Sequence, residues 1–165
     1  MTFEKGLLKQ GTKVLNACKR KELKLATAES CTGGLITSLL TTIAGSSDVL
    51  DRGFITYSNE SKIECLNVPS SLIKNHGAVS MQVAKAMAEG VLTNSNANLS
   101  LSITGVAGPS GGTKQKPVGL VYIGSTLTRN DTIVSKYLFG GDRNAVRLQA
   151  VTEALNILSR QLQIH

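Results

Sequence analysis

The spacing of apolar residues changes from segment to segment along this chain, and each change marks an element. Over residues 4–22, Leu7, Val14 and Cys18 share one side of a helical wheel with Phe3, while Lys5, Lys9 and Lys13 occupy the other. This predicts an amphipathic helix with a solvated lysine face. A short strand over 23–28 and a helix over 33–43 follow, the latter carrying Leu35, Ile36, Leu39, Leu40 and Ile43 at helical spacing. Residues 51–57 read as a second strand, and 58–68 as a helix opened by two good capping residues, Ser58 and Asn59. Pro69 starts another short helix that stops near Gly77, and Ser80 caps a longer one.

Alternation over 98–104 predicts a third strand. Residues 117–127 and 132–139 are β-rich and flank Thr128-Arg129-Asn130-Asp131, a turn suited to a hairpin. Gly140-Gly141-Asp142 then caps a last helix with Val151, Leu155, Leu158 and Leu162 as its core stripe. Strand and helix alternate early and a hairpin comes late, which predicts an α/β fold with a mixed sheet and helices on both faces. No repeat or long linker divides the chain. One domain over residues 1–165 is expected, and a hydrophobic content of 41% suffices for its core.

Charge changes the picture only slightly. The formal net charge is +7, yet seven of the 18 Lys and Arg fall within the first 24 residues, mostly on the wet face of the first helix. With three Phe, three Tyr and no Trp there are few platforms for stacking bases, so a small anionic ligand is expected rather than a nucleic acid. No apolar run approaches the ~20 residues of a membrane span, and the first residues lack the pattern of a secretory signal, so a cytoplasmic location is expected. Cys18, Cys31 and Cys65 have neither disulfide-framework nor zinc-site spacing. Cys18 and Cys65 read as core thiols.

Three loops follow predicted strands: E-S-C-T-G-G, Y-S-N-E-S-K and T-G-V-A-G-P-S-G-G. If those strands are parallel, the loops converge on one crevice. Ser30 would stand at a helix N-terminus, where free amides favour developing negative charge; equally, Ser30 or Thr32 would serve there only as an N-cap. Histidine is poorly placed as its base, since His76 lies in an Asn-His-Gly turn and His165 ends the chain. Lys62 would reach back to the same crevice, and it acts as a base only when burial or a neighbouring cation makes it neutral. Tyr57 would relay a proton or hold the lysine. Cys31 is the rival nucleophile. The glycine loop fits no P-loop register, but its amides and Thr104 could cradle a phosphate or carboxylate, and Arg143, with Arg147 a turn further on, would add positive charge.

Together, A-E-S-C-T-G-G at 28–34, Y-S-N-E-S-K at 57–62, T-G-V-A-G-P-S-G-G at 104–112 and G-D-R at 141–143 resemble the CinA carboxyl-terminal domain family, which includes stand-alone nicotinamide-nucleotide amidases. The resemblance implies a three-layer α/β/α sandwich with a mixed, mostly parallel sheet, and hydrolysis of nicotinamide mononucleotide to nicotinate mononucleotide and ammonia. It places the family's serine on Ser30, its tyrosine on Tyr57 and its lysine on Lys62. Amides near Gly33 and Gly34 would hold the oxyanion. Thr32, Asn59, Thr104, Gly105, Gly108, Gly111, Gly112 and Arg143 would complete the nucleotide site. It implies no metal or organic cofactor, and a homo-oligomer. The alternatives are a non-catalytic nucleotide-binding or regulatory module of the same fold and a nucleic-acid accessory protein using the basic first helix.

Overall fold

The computed structural model describes residues 3–164, so His165 lies outside it. Helix α1 spans Lys5–Arg20, and strand β1, Leu25–Glu29, leads through a tight turn to α2, Leu35–Thr41. Strand β2, Leu50–Ile55, is followed by α3, Asn59–Leu66, α4, Ser70–His76, and α5, Met81–Thr93. Strand β3, Leu99–Gly105, a long glycine-rich loop, the hairpin β4, Leu120–Leu127, with β5, Ile133–Leu138, and α6, Arg143–Gln161, complete the chain.

The strands form one sheet in the order β2-β1-β3-β4-β5. Strand β1 runs parallel to both β2 and β3, while β4 is antiparallel to β3 and β5. Four of the five strands therefore point one way. The predicted strand over 117–127 begins only at Leu120. Pro117 has no N–H to give a ladder, and its carbonyl instead accepts from the Leu120 amide in a turn.

Side-chain alternation separates the two helical layers. On β3, Leu99, Leu101 and Ile103 join the core beneath α1, α2 and α6. The other face carries small residues: Ala26 and Ala28 on β1, Ser102 on β3 and Gly124 on β4. It packs against α5, where the Ser102 hydroxyl donates to the Ala84 carbonyl at 2.7 Å. Helices α3 and α4 pack on α5, giving the α/β/α sandwich. The lysine face of α1 is exposed at Lys5, Lys9 and Lys13, as its period predicts, and Cys18 is buried. Cys65 is not a core thiol: α3 turns Lys62 and Leu66 inward, one helical turn apart, which leaves Cys65 in solvent.

Register decides where the chemistry sits. Glu29 pairs with Ile55 on one side and Ile103 on the other, so β1, β2 and β3 end level with one another. The ladder continues past them, with the Ser30 amide donating to the Ile103 carbonyl and the Thr56 amide to that of Glu29, both at 2.9 Å. The loops beginning at Ser30, Thr56 and Val106 thus leave the sheet side by side.

Gly90 sets the separation of α3 from α5, because a Cβ there would strike the Leu66 carbonyl. Alanine would normally gain about 1 kcal/mol of helix propensity over glycine. Here Gly90→Ala should instead lower stability by about 1–3 kcal/mol, read from the denaturant midpoint; an increase would show that α3 shifts freely.

Candidate active site

At the turn after β1, the first surprise is what caps α2. Glu29, the one acid in the otherwise uncharged strand Leu25–Glu29, is buried and turns its carboxylate toward the helix start. It accepts from the amides of Gly34, Ile36 and Thr37 at 3.1, 3.2 and 3.0 Å and from the Thr37 hydroxyl at 2.7 Å. A carboxylate there satisfies orphan N–H groups and matches the helix dipole. Neither Ser30 nor Thr32 is needed as the cap, and the Ser30 hydroxyl is left for other work.

That hydroxyl meets Lys62. Ser58 caps α3 by accepting from the Ser61 amide at 3.0 Å, which starts the helix directly after β2. The Lys62 side chain then runs back toward the strand end and is only 1% exposed. Its Nζ lies 3.0 Å from Ser30 Oγ and 2.7 Å from the Thr56 carbonyl, with the carbonyls of Tyr57 and Ser58 at 3.3 Å. Burial lowers the Lys62 pKa, against smaller opposing influences from Cys31 and Glu60. In its neutral form the amine would donate two N–H groups to carbonyls and accept from the Ser30 O–H. This is the geometry of an activated serine.

Cys31, the rival candidate, is buried beside Ser30. Burial pushes its thiol up to about 11, so the thiol form prevails near neutrality.

Ser30, Cys31 and Lys62 open onto a cavity of about 270 Å³, also lined by Tyr57, Asn59, Thr104, Gly105, Gly108, Gly111 and Arg143. The lining contains Lys62 and Arg143 but no Asp or Glu, which suits an anionic ligand. Thr104 is buried and donates its hydroxyl to the Ala78 carbonyl at 2.9 Å. Arg143 spans the mouth, donating to the Gly108 carbonyl at 2.7 Å and to the Tyr57 hydroxyl at 3.2 Å. The exposed Tyr57 ring therefore faces Arg143, and the residue reaches Lys62 through its carbonyl instead.

Other expected residues lie elsewhere. Thr32, Gly33, Gly34 and Gly112 do not line the cavity. The Gly33 amide donates to the Ser30 carbonyl at 3.1 Å and the Gly34 amide to Glu29, so neither is free for an oxyanion. Both glycines have positive φ, +58° and +95°, and serve the turn itself. Among the described residues, the amides of Cys31 and Thr32 donate to no backbone carbonyl, and the Cys31 amide lies against its own thiol. Arg147 does not join Arg143 at the cavity; it reaches behind the turn and donates to the Thr32 carbonyl at 2.8 Å. Glu29 and Arg147 were legible only in part, the first as a lone acid ending an uncharged strand and the second as a cation in the first turns of a helix.

The family model described as the CinA C-terminal domain matches residues 8–162. A curated relative from Enterobacter agglomerans, named nicotinamide-nucleotide amidohydrolase PncC, is 46% identical over 158 residues, covering 96% of each chain. A CinA-like protein of Kosmotoga olearia is 45% identical over 90% of this chain, but the chain spans 36% of that protein's length, the same share as of relatives from two Caldicellulosiruptor species. Among solved structures, the competence/damage inducible protein CihA from Agrobacterium tumefaciens superposes with a TM-score of 0.95 at 40% identity, covering 99% of both chains. A CinA superfamily protein from Klebsiella pneumoniae gives 0.91 at 34% identity, covering 95% of this chain and 98% of its own.

The buried amine ties stability to pH. Because folding lowers the Lys62 pKa, the unfolded chain binds more protons between the folded value and the ordinary ~10.4, and this group's contribution to stability rises with pH across that window. Lys62→Met removes the rise. Its stability relative to the wild type should therefore fall as the pH rises toward the ordinary lysine value of ~10.4, as followed by denaturant midpoints; a flat difference would mean that Lys62 titrates as an ordinary lysine.

Proposed function

Because the chain belongs to the CinA C-terminal domain family, we propose that it hydrolyses the carboxamide of nicotinamide mononucleotide to nicotinate mononucleotide and ammonia, with Ser30 as nucleophile and Lys62 as base. The observation that carries this is the buried Lys62 Nζ held 3.0 Å from Ser30 Oγ at the edge of an acid-free cavity. The near-full-length likeness to a relative named for this chemistry supports the substrate.

In this mechanism Ser30 Oγ attacks the carboxamide carbon while its proton passes to the neutral Lys62 amine. The Cys31 and Thr32 amides, neither of which donates to a backbone carbonyl among the described residues, receive the oxyanion in place of those of Gly33 and Gly34. Collapse of the tetrahedral adduct expels ammonia, with the leaving nitrogen taking the proton held by Lys62. Water then gives a proton to the same amine and attacks the acyl-enzyme, releasing the nicotinate nucleotide and restoring Ser30.

Arg143 spends two N–H groups on Gly108 and Tyr57 and has others for the substrate phosphate. Asn59, Thr104, Gly105, Gly108 and Gly111 line the same cavity, and their side chains and amides would hold the ribose and phosphate. Tyr57 orients Arg143 through its hydroxyl and Lys62 through its carbonyl. The same family resemblance extends the proposal to a cytoplasmic homo-oligomer with one domain over residues 1–165.

Ammonia release from nicotinamide mononucleotide is the decisive assay. The wild type should turn over, and Ser30→Ala and Lys62→Met should each lose on the order of 10³-fold or more in kcat. Nucleotide binding without ammonia release by the wild type would identify a non-catalytic binding module instead. Cys31→Ala keeps the amide and should stay within roughly threefold of wild type; a loss matching Ser30→Ala would make the thiol the nucleophile. The rate should climb with pH along a limb lying below the ordinary lysine value of ~10.4, since only unprotonated Lys62 accepts the serine proton.

A further inference from the structure

Arg147 is a half-buried cation that no ion pair among the described residues neutralises. Its Nε is buried without an acceptor, an arrangement that adds nothing to stability on its own account. Its one hydrogen bond runs from Nη2 to the Thr32 carbonyl at 2.8 Å, on the side of the nucleophile turn away from the cavity.

The bond matters because of what lies beyond it. The Thr32 carbonyl belongs to the peptide whose N–H is that of Gly33, and that N–H grips the Ser30 carbonyl at 3.1 Å. The Ser30 carbonyl in turn belongs to the peptide whose N–H is that of Cys31, which donates to no backbone carbonyl among the described residues and has only its own thiol beside it. Two hydrogen bonds through two rigid peptide planes therefore connect the guanidinium to the amide following the nucleophile. Each plane fixes the orientation of the next. A cation at the head of such a chain also polarises it, making the last N–H a stronger donor. An amide in that position is the common donor to the oxyanion that develops on a substrate carbonyl oxygen when the preceding residue's hydroxyl attacks.

We propose that Arg147 is a positioning residue for transition-state stabilisation: through the Thr32–Gly33 and Ser30–Cys31 peptides it orients and polarises the Cys31 amide that receives the oxyanion. The assignment rests on the amidase chemistry above. It separates two arginines one helical turn apart, Arg143 for the substrate phosphate and Arg147 for the reacting centre.

The test compares wild type, Arg147→Met and Arg147→Lys in ammonia release from nicotinamide mononucleotide. It adds the affinities of two probes: nicotinate mononucleotide, and a pyridine nucleotide bearing a boronic acid in place of the carboxamide. The boronate forms a tetrahedral adduct on Ser30 and so requires the oxyanion site; the carboxylate product does not. Removing an oxyanion donor outright costs about 10²–10³ in kcat, so weakening one should lower kcat of Arg147→Met by roughly 5- to 30-fold. KM and product affinity should stay within about twofold while boronate affinity falls in parallel with kcat. Arg147→Lys should recover most of both.

Unchanged kcat in folded Arg147→Met would overturn the proposal, as would a loss confined to KM and product affinity, or equal losses in Met and Lys variants with equally lowered Tm. If Arg147→Met does not fold, Arg147→Gln replaces it under the same criteria. Wild type that releases no ammonia sinks the amidase assignment itself, whereas an active wild type with an indifferent Arg147 sinks only this one.

Discussion

A buried amine with almost no exposure governs this molecule. A lysine ammonium is expensive to desolvate, and the protein meets that cost by surrounding Lys62 with carbonyl oxygens from the end of β2 and with the Ser30 hydroxyl. For the side chain to find those acceptors, α3 must begin immediately beyond the strand, which the Ser58 cap arranges. It must also lie close against α5, which Gly90 permits. The placement of α3 thus brings the amine to these acceptors, and its burial there lowers its pKa.

On the opposite face of β1 the problem has the inverse sign. Glu29 brings a buried carboxylate to the start of α2, where four donors meet it. A serine at a helix N-terminus is commonly consumed as the cap, and a capped serine hydroxyl is a poor nucleophile because its oxygen is already engaged. By taking over that task, Glu29 leaves Ser30 to Lys62. Adjacent residues at the strand end therefore face opposite layers, one structural and one chemical, by the plain alternation of a β-strand.

Arg143 and Arg147 show the same division along a helix. Asp142 caps α6 by accepting from the Ala145 amide at 2.8 Å, which projects Arg143 across the cavity mouth to the glycine loop and Tyr57. One turn later Arg147 passes behind the turn after β1 instead. Cations near a helix N-terminus oppose its dipole. Each is held by uncharged oxygen acceptors rather than by an ion pair among the described residues, and only Arg143 lines the crevice.

Much of this was legible in the chain. Helical and strand periods located α1, α5, β3 and α6, the caps Ser58, Ser80 and Asp142 act where local pattern put them, and β1, β2 and β3 are parallel, the condition under which their loops were expected to converge. These features depend on neighbours in sequence, whose spacing sets which face they share. What local pattern does not contain is competition for partners between distant residues. The claim of Glu29 on the Gly34 amide, the turn of Tyr57 toward Arg143 and the reach of Arg147 to Thr32 depend on which groups the assembled sheet and helices bring within hydrogen-bond distance. The sequence by itself determined the layers and the residues present at the strand ends; only the tertiary structure decided which donor and acceptor each would meet, because burial leaves every polar group to find its partner among whatever the fold has placed beside it.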